Sequence, residues 1–547
     1  MLTGKQNKRC FRVVVLILWC LLLADQAQGG TTWLEKQKLL ASDGAAVDFF
    51  SISISISGDL AIVGAAYDDD KGSDSGSAYI FKRDGTSWSQ QQKLTASDGA
   101  AADQFGCSVF ISGDYAIIGA CGDDDKGIDS GSAYIFRWGG TAWVQQQKLT
   151  ASDGAAVDYF GYSVSISGDY AIVGAVYDND KGSSSGSAYI FKQDGTSWSQ
   201  QQKLTASDGA ASDLFGYSVS ISGDYAIVGV ISDDDKGSES GSAYIFKWDG
   251  TSWNQQQKLL ASDGAAVDYF GISVSISGDY AIVGAIYDDD KGSDSGSAYI
   301  FKWNGTSWSQ QQKLTASDGA AADQFGRSVS ISGDYTIVGA KYDDDKGSAS
   351  GSAYIFKWDS TGWVQQQKLT ASDGTAGNNF GYSVSISGDY AIVGAVWDDD
   401  KGSGSGSAYI FVPTGTGELT LLTPNGGEQF VAGSTYDITW DTNGIVENVF
   451  IEYSANSGGN WTAIDTVVNT GSYQWDVPQE NSWQCLVRVS DAGCLIANDI
   501  SDNTFRIYVC TLVSDLNHDC FVDFSDFSLL ASEWLRCGDA ANPNCQP

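Results

Sequence analysis

Between residues 162 and 204 the pattern of apolar and polar positions predicts four short strands. Tyr162-Ser-Val-Ser-Ile-Ser167 alternates, the period-2 signature of a half-buried strand. Ser167-Gly168-Asp169 supplies turn-forming residues. Tyr170 to Ala175 is more continuously apolar, as in a strand covered on both faces, and an acidic Gly/Ser loop follows it. Ser187 to Lys192 reads as a third strand, Asp194-Gly195 as a turn, and Trp198 to Leu204 as a fourth strand.

This unit recurs seven times at a fixed step of 55 residues. Ser-Gly-Ser-Ala-Tyr-Ile-Phe begins at Ser75, Ser130, Ser185, Ser240, Ser295, Ser350 and Ser405. An Asp-Asp-Asp-Lys-Gly segment keeps the same step from Asp68 to Asp398, with Asn179 as a variant. So does a tryptophan, from Trp33 to Trp363. Four antiparallel strands repeated seven times predict an all-β chain whose residues 31–413 form a seven-bladed β-propeller. A β-solenoid is the alternative, but 55 residues is long for one coil. The first unit starts with an isolated fourth-strand segment, Trp33 to Leu40, and the last unit stops after its third strand at Phe411. A propeller explains that offset, because the first segment completes the seventh blade and leaves no open edge.

The units resemble the FG-GAP repeats of integrin-α-type propellers. Phe160-Gly161, Ser163-Val164, Val173-Gly174-Ala175 and Ala188-Tyr189-Ile190-Phe191 carry the resemblance, which covers about residues 31–413. It implies a propeller that often holds calcium in an Asp-rich loop between its first two strands. Here that place holds only Ser167-Gly168-Asp169, too short to wrap a cation with six or more oxygens. The family's propeller calcium sites are therefore not expected.

In an antiparallel blade, the loop between strands two and three shares a face with the connection to the next blade. The first is Asp178-Asn179-Asp180-Lys181-Gly182. The second runs from Ala206-Ser207-Asp208-Gly209 to Asp213. That face should be strongly negative. Capping of turn amides is the expected role of these acids; binding of cations or a basic partner is the alternative. The seven tryptophans are expected to pack between blades, with sugar stacking as the alternative. Cys107 and Cys121 sit on neighbouring strands and suggest a cross-strand disulfide.

The composition shifts at Pro413-Thr-Gly-Thr-Gly417. Over residues 418–509, segments such as Tyr436–Trp440, Val449–Tyr453, Ser472–Trp475 and Leu486–Val489 alternate between Gly-containing turns. They predict a β-sandwich, similar to the Ig/fibronectin-III-like accessory modules of bacterial secreted proteins and expected to act as a spacer. Cys485 and Cys494 are candidates to pair. Residues 510–547 form a small tail. Asp515, Asn517, Asp519, Asp523 and Asp526 fall at positions 1, 3, 5, 9 and 12 of a twelve-residue loop, and Phe521 offers its carbonyl at position 7. That spacing suits one Ca²⁺, as in an EF-hand. A helix should follow, with Phe524, Phe527, Leu529, Leu530 and Trp534 on its apolar side. The tail resembles half of a type I dockerin, which implies a cohesin-like partner. It departs from that pattern in Cys520, where glycine is usual, and in lacking the second loop. Cys510, Cys520, Cys537 and Cys545 could staple it in three ways.

Charge and targeting narrow the functional classes. The net charge of -37 opposes binding to nucleic acid or to anionic membranes. Basic Lys5, Lys8, Arg9 and Arg12 precede the apolar run Val13–Ala24, and small residues follow. Residues 1–29 are thus expected to be a signal peptide, making the protein secreted or cell-surface. No later stretch predicts a membrane span. The one histidine, His518, lies in the calcium loop, which removes Ser-His-Asp, Cys-His and multi-histidine zinc chemistry. Near-identical blades also give acidic residues equivalent environments, whereas paired carboxylate catalysis needs two different ones. The reading is a non-catalytic binding or adhesion protein whose partner is a protein or an extracellular glycan. A polysaccharide hydrolase or lyase and a structural surface-layer protein are the alternatives.

Overall fold

A computed structural model describes residues 32–84, 87–413, 418–443, 446, 448–492, 498–509 and 524–537. The chain divides into two units, Met1–Val412 and Pro413–Pro547.

The first unit is a seven-bladed propeller of seven four-stranded antiparallel sheets. In the third blade the strands are Phe160–Ser167, Tyr170–Ala175, Ser187–Asp194 and Ser197–Leu204, in spatial order. Two residues, Gly168 and Asp169, join the first pair, and the register runs from Ser167 opposite Tyr170 to Phe160 opposite Ala175. The ring closes as the offset predicts. Trp33–Leu39 is the outer strand beside Ser407–Pro413 of the last blade, which no solenoid would require.

Blades are held face to face by apolar side chains. Tyr170 aside, the strand Tyr170–Ala175 is wholly buried, because it is covered on both sides. Ile117, Ile135 and Leu149 of one blade share a core with Phe160, Ile166, Val173, Phe191 and Trp198 of the next. The tryptophans pack between blades as expected: Trp198 meets Tyr115 edge-on at 5.8 Å. The Phe-Gly and Val-Gly-Ala motifs mark where backbones touch. A Cβ on Gly174 would stand 2.1 Å from the carbonyl oxygen of Gly216 in the next blade, so no side chain fits. Ser163 Oγ donates to that same carbonyl at 2.8 Å. The motif is thus the blade-to-blade seam written in sequence.

Among the described residues the second unit is all-β with one helix. Glu418–Thr423, Thr435–Asn443 and Ser472–Asp476 form one sheet. Gln429–Val431, Phe505–Tyr508, Ser482–Asp491, Asn448–Ser454 and Thr462–Val468 form the other, with Asn498–Ile500 paired to Ser482–Asp491. Trp440, Trp475, Val487 and Phe505 share one core between them. The helix spans Phe524–Cys537. Phe524, Phe527, Leu529 and Leu530, expected on its apolar side, are exposed; the Trp534 side chain lies outside the described residues. No helix among the described residues is long and apolar enough to cross a membrane.

Two disulfide expectations are corrected. Cys107 and Cys121 are neighbours but are free thiols. Cys107 Sγ donates to Gly161 O at 3.6 Å and Cys121 Sγ to Gln104 Oε1 at 3.5 Å. Each thiol therefore serves as a donor. Cys485 is also a free, buried thiol, in contact with Tyr453 OH at 3.3 Å, and is not paired with Cys494. Cys494, Cys510, Cys520 and Cys545 lie outside the described residues, as does the proposed signal peptide.

Candidate functional site

The acidic loop face resolves into seven cages, each built around a lysine. In the third blade the ammonium of Lys203 lies 2.8 Å from Asp153, 2.9 Å from Asp178 and 2.6 Å from Asp180. Lys203 ends the outer strand, Asp178 and Asp180 lie in the loop between the middle strands, and Asp153 lies in the connection entering the blade. Asp178 is buried and fully engaged. It accepts from Ser187 Oγ at 3.0 Å, from the amide of Asp180 at 3.0 Å and from Tyr189 OH at 2.9 Å. Tyr189 OH also reaches Asp153 at 3.0 Å. Burial pulls the Lys203 ammonium down, but its hydrogen bonds to Asp153, Asp180 and Asp178 outweigh this and hold it above the usual lysine range. Burial pushes Asp153 up, and Lys203 with Tyr189 brings it below the usual carboxylate range. The seventh cage spans the ring closure: Lys38, from the first strand, pairs with Asp373, Asp398 and Asp400.

In four of the blades the three carboxylates are close enough to hold a metal ion, Asp153, Asp178 and Asp180 among them. The place such an ion would take holds the lysine ammonium. The middle acid of each loop caps the backbone, as expected. The amide of Asp74 donates to Asp69 at 2.8 Å, and that of Ser184 donates to Asn179 at 2.7 Å. Asn179, in place of aspartate at that position, keeps the bond, so charge is not what the position supplies.

Six blades carry a further buried aspartate beside the cage. Asp268 accepts from the Ala265 amide at 2.7 Å. Burial, then the neighbouring Asp288, pushes it up to about 6. The seventh blade has Asn378 there, whose amide donates to Asp398 Oδ2 at 2.9 Å.

The copies differ where the same face meets the central axis. The residue after the Phe-Gly pair is Cys107, Tyr162, Tyr217, Ile272, Arg327 or Tyr382 in the second to seventh units. The residue after Val-Gly-Ala is Cys121, Val176, Ile231, Ile286, Lys341 or Val396 in the same units, where the second reads Ile-Gly-Ala and the fourth Val-Gly-Val. The residue before the Phe-Gly pair, which is Phe50-Ser51 in the first unit, also varies, from Phe49 through Tyr159 and Leu214 to Asn379. These positions touch one another. Tyr162 packs at a tilt against Tyr217 at 5.1 Å, and Phe49 packs on Trp397 at 4.4 Å. Ile231, Ile272 and Ile286 form a small cluster with Leu214, Tyr217, Tyr269 and Tyr287. Arg327 lies over Tyr382 at 4.7 Å and bears electrostatically on Tyr162, three blades away. Substitution is also frequent at the far end of the third strand, at Arg83, Trp138 and Gln193, but there each residue has a local partner: Asp59, Trp143 and Tyr115.

Of the calcium-loop residues, Asp515, Asn517, Asp519, Phe521 and Asp523 lie outside the described residues. Asp526 is buried in the first turn of the helix.

Comparison with known families agrees with the ring. A profile described as FG-GAP repeat matches residues 33–81, 88–136, 143–191, 198–246, 253–301, 308–356 and 363–411. The chain belongs to the FG-GAP repeat family. Its FG-GAP units do not fit a calcium cage between their first two strands: two residues bridge them, and the Asp169 carbonyl there accepts from the Gln193 amide at 2.8 Å. No curated protein matches the FG-GAP chain. Among solved structures, it is similar to the β-propeller domain of the Trilobed protease from Pyrococcus furiosus, with 10% identity over 64% of this chain and 91% of that one, at a TM-score of 0.35. It is also similar to an exo-β-1,3-galactanase from Phanerochaete chrysosporium, with 11% identity over 65% and 96%, at a TM-score of 0.29. An acylaminoacyl peptidase from Pyrococcus horikoshii gives 9% identity over 69% and 59%, at a TM-score of 0.36. None of these likenesses bears on what this chain does.

Proposed function

We propose that this chain is a secreted, non-catalytic binding protein whose propeller is the recognition platform. One observation carries the reading. Seven units that share their cores, seams and cages differ at adjoining positions where one face meets the central axis, and there the differing residues of neighbouring blades touch one another, as Tyr162 touches Tyr217 and Phe49 touches Trp397. Cores, seams and cages need sameness; a recognition surface needs difference, because a seven-fold repeated surface presents the same chemistry at every blade. The cages support the same view. Their carboxylates are engaged by lysines, tyrosines and turn amides, and the raised aspartate beside the cage, such as Asp268, is capped by a backbone amide and recurs in six blades, so no one pair is singled out for acid–base catalysis. In this reading residues 418–509 are an Ig/fibronectin-III-like spacer, and residues 510–547 bind calcium through Asp515, Asn517, Asp519, Phe521, Asp523 and Asp526 to dock a cohesin-like partner. The exposed Phe524, Phe527 and Leu530 offer apolar surface for such docking.

A variant in which every unit carries the mouth residues of the third unit tests the platform. In a screen against extracellular glycans and proteins it should lose whatever the native protein captures, with its melting temperature retained; retained binding would refute the reading. Calorimetric Ca²⁺ titration tests the tail. Removing residues after Tyr508 should abolish about one site. Sites that persist after truncation would place calcium in the ring.

A further inference from the structure

Two of the mouth departures are cations, and both fall in one unit. Arg327 stands where the second, third, fourth, fifth and seventh units have Cys, Tyr, Tyr, Ile and Tyr. Lys341 stands where the same units have Cys, Val, Ile, Ile and Val. The two positions are neighbours within a unit, as the contact between Cys107 and Cys121 at the same places shows. Arg327 lies over the Tyr382 ring at 4.7 Å; Lys341 lies 4.4 Å from the Tyr342 ring centre and 5.6 Å from that of Tyr382. Among the described residues no carboxylate is within ion-pair distance of either. That is unusual in a chain of net charge -37 whose seven cage lysines each hold three aspartates. Burial, then Arg327, lowers Lys341 to about 8. Two like charges held together over aromatic rings lack an anion.

We propose that Arg327 and Lys341 form the binding site for a single carboxylate on a sugar ring, the uronic acid at the end of a glycan chain. This rests on the propeller being the recognition platform and names its ligand. The guanidinium offers paired donors to a carboxylate, and the ammonium offers a second point of charge. A carboxylate seated there brings its pyranose over the exposed ring of Tyr342 and towards Tyr382, where aromatic faces stack on sugars. The net charge of -37 disfavours a polyanion, so one charge per ligand end is selected.

The test is calorimetry on the full chain with a glucuronate-terminated disaccharide, its neutral glucose-terminated counterpart, and a short peptide with a free C-terminal carboxylate. The comparison protein carries Arg327→Tyr and Lys341→Val, residues the sister units already hold, so the fold should be kept; its melting curve checks this. The expected result is that the native protein prefers the glucuronate-terminated sugar over the neutral one by at least tenfold, and that the double substitution removes the preference. Equal affinity for the two sugars, a preference unchanged in the variant, or binding of the peptide alone would overturn the proposal. If the glucuronate sugar fails while resetting the whole mouth still abolishes another captured ligand, only the ligand assignment falls. If resetting the mouth changes nothing, the platform falls as well.

Discussion

Asp268→Asn is a substitution the protein has already made once, at Asn378. In the native fifth blade Asp268 is 6% exposed, accepts from the Ala265 amide and faces Asp288, Asp289 and Lys313. Its carboxyl titrates at about 6 against 3.8 for a free aspartate. Because the folded value is the higher, the folded state binds more protons between these limits, and stability falls as pH rises through that window. Below 3.8 the group costs nothing; above about 6 the full cost is present. At ~1.4 kcal/mol per unit, the rise sets a ceiling of about 3 kcal/mol. An asparagine removes the buried charge, keeps an acceptor for Ala265 and adds a donor for Asp288, as Asn378 does for Asp398. The variant should therefore be more stable than the native protein by about 1–3 kcal/mol at pH 8 and equal to it at pH 3.5. For a ring of this size that is a melting-temperature gain of a few degrees. Paired thermal melts from pH 3.5 to 8 measure it. A gain of the same size at every pH, or a loss at pH 8, would refute the reasoning.

Lys203→Met removes the centre of a cage and leaves three carboxylates facing one another, one of them buried. About 2–4 kcal/mol should be lost at pH 7, and less at pH 4, where the acids begin to protonate; chemical denaturation at the two pH values gives the comparison. Ser51 holds a glycine's place in the first blade, at φ 78° and with no partner for its buried Oγ. Ser51→Gly should stabilise by about 1 kcal/mol, read as a shift in denaturation midpoint; a loss would contradict the strain argument. The Trp198 indole N–H is buried without a hydrogen bond. Trp198→Phe should thus cost about 1 kcal/mol, against about 3–5 for Trp198→Ala, and equal costs would show the ring packing to be misjudged.

The fold was legible because its signals are local and repeated. Alternation marked Tyr162–Ser167, and the misplaced segment at Trp33 announced the closure. The cages were not legible. Asp153, Asp178 and Lys203 come from three separate stretches of a blade, and only the finished sheet brings them together. A signal was present, since the lysine recurs as faithfully as the aspartates, and such co-recurrence is what an ion pair leaves in a repeat. The mouth escaped for the opposite reason. Its residues are the ones that do not recur, so a search for the shared pattern averages them away. For Cys107 and Cys121 adjacency was read correctly, but it does not decide between a disulfide and two hydrogen-bonded thiols.

The seam between Trp33–Leu39 and the last blade gives the ring an order of assembly. Six blades are each completed by chain that lies immediately downstream, so they can form one after another as the chain is extended. The seventh must wait for Ser407–Pro413 to meet a strand made at the start, with Lys38 entering a cage whose aspartates lie far along the chain. Closing so long a loop is the slow step, and until then the first strand has no neighbour to pair with. The same joint is where the finished ring is easiest to open. Loss of one terminal strand unmakes a blade, while opening any other requires parting two neighbours continuous in sequence. The N-terminal strand is therefore both the latch of the ring and its weakest link, and pulling on that end should unzip the molecule blade by blade.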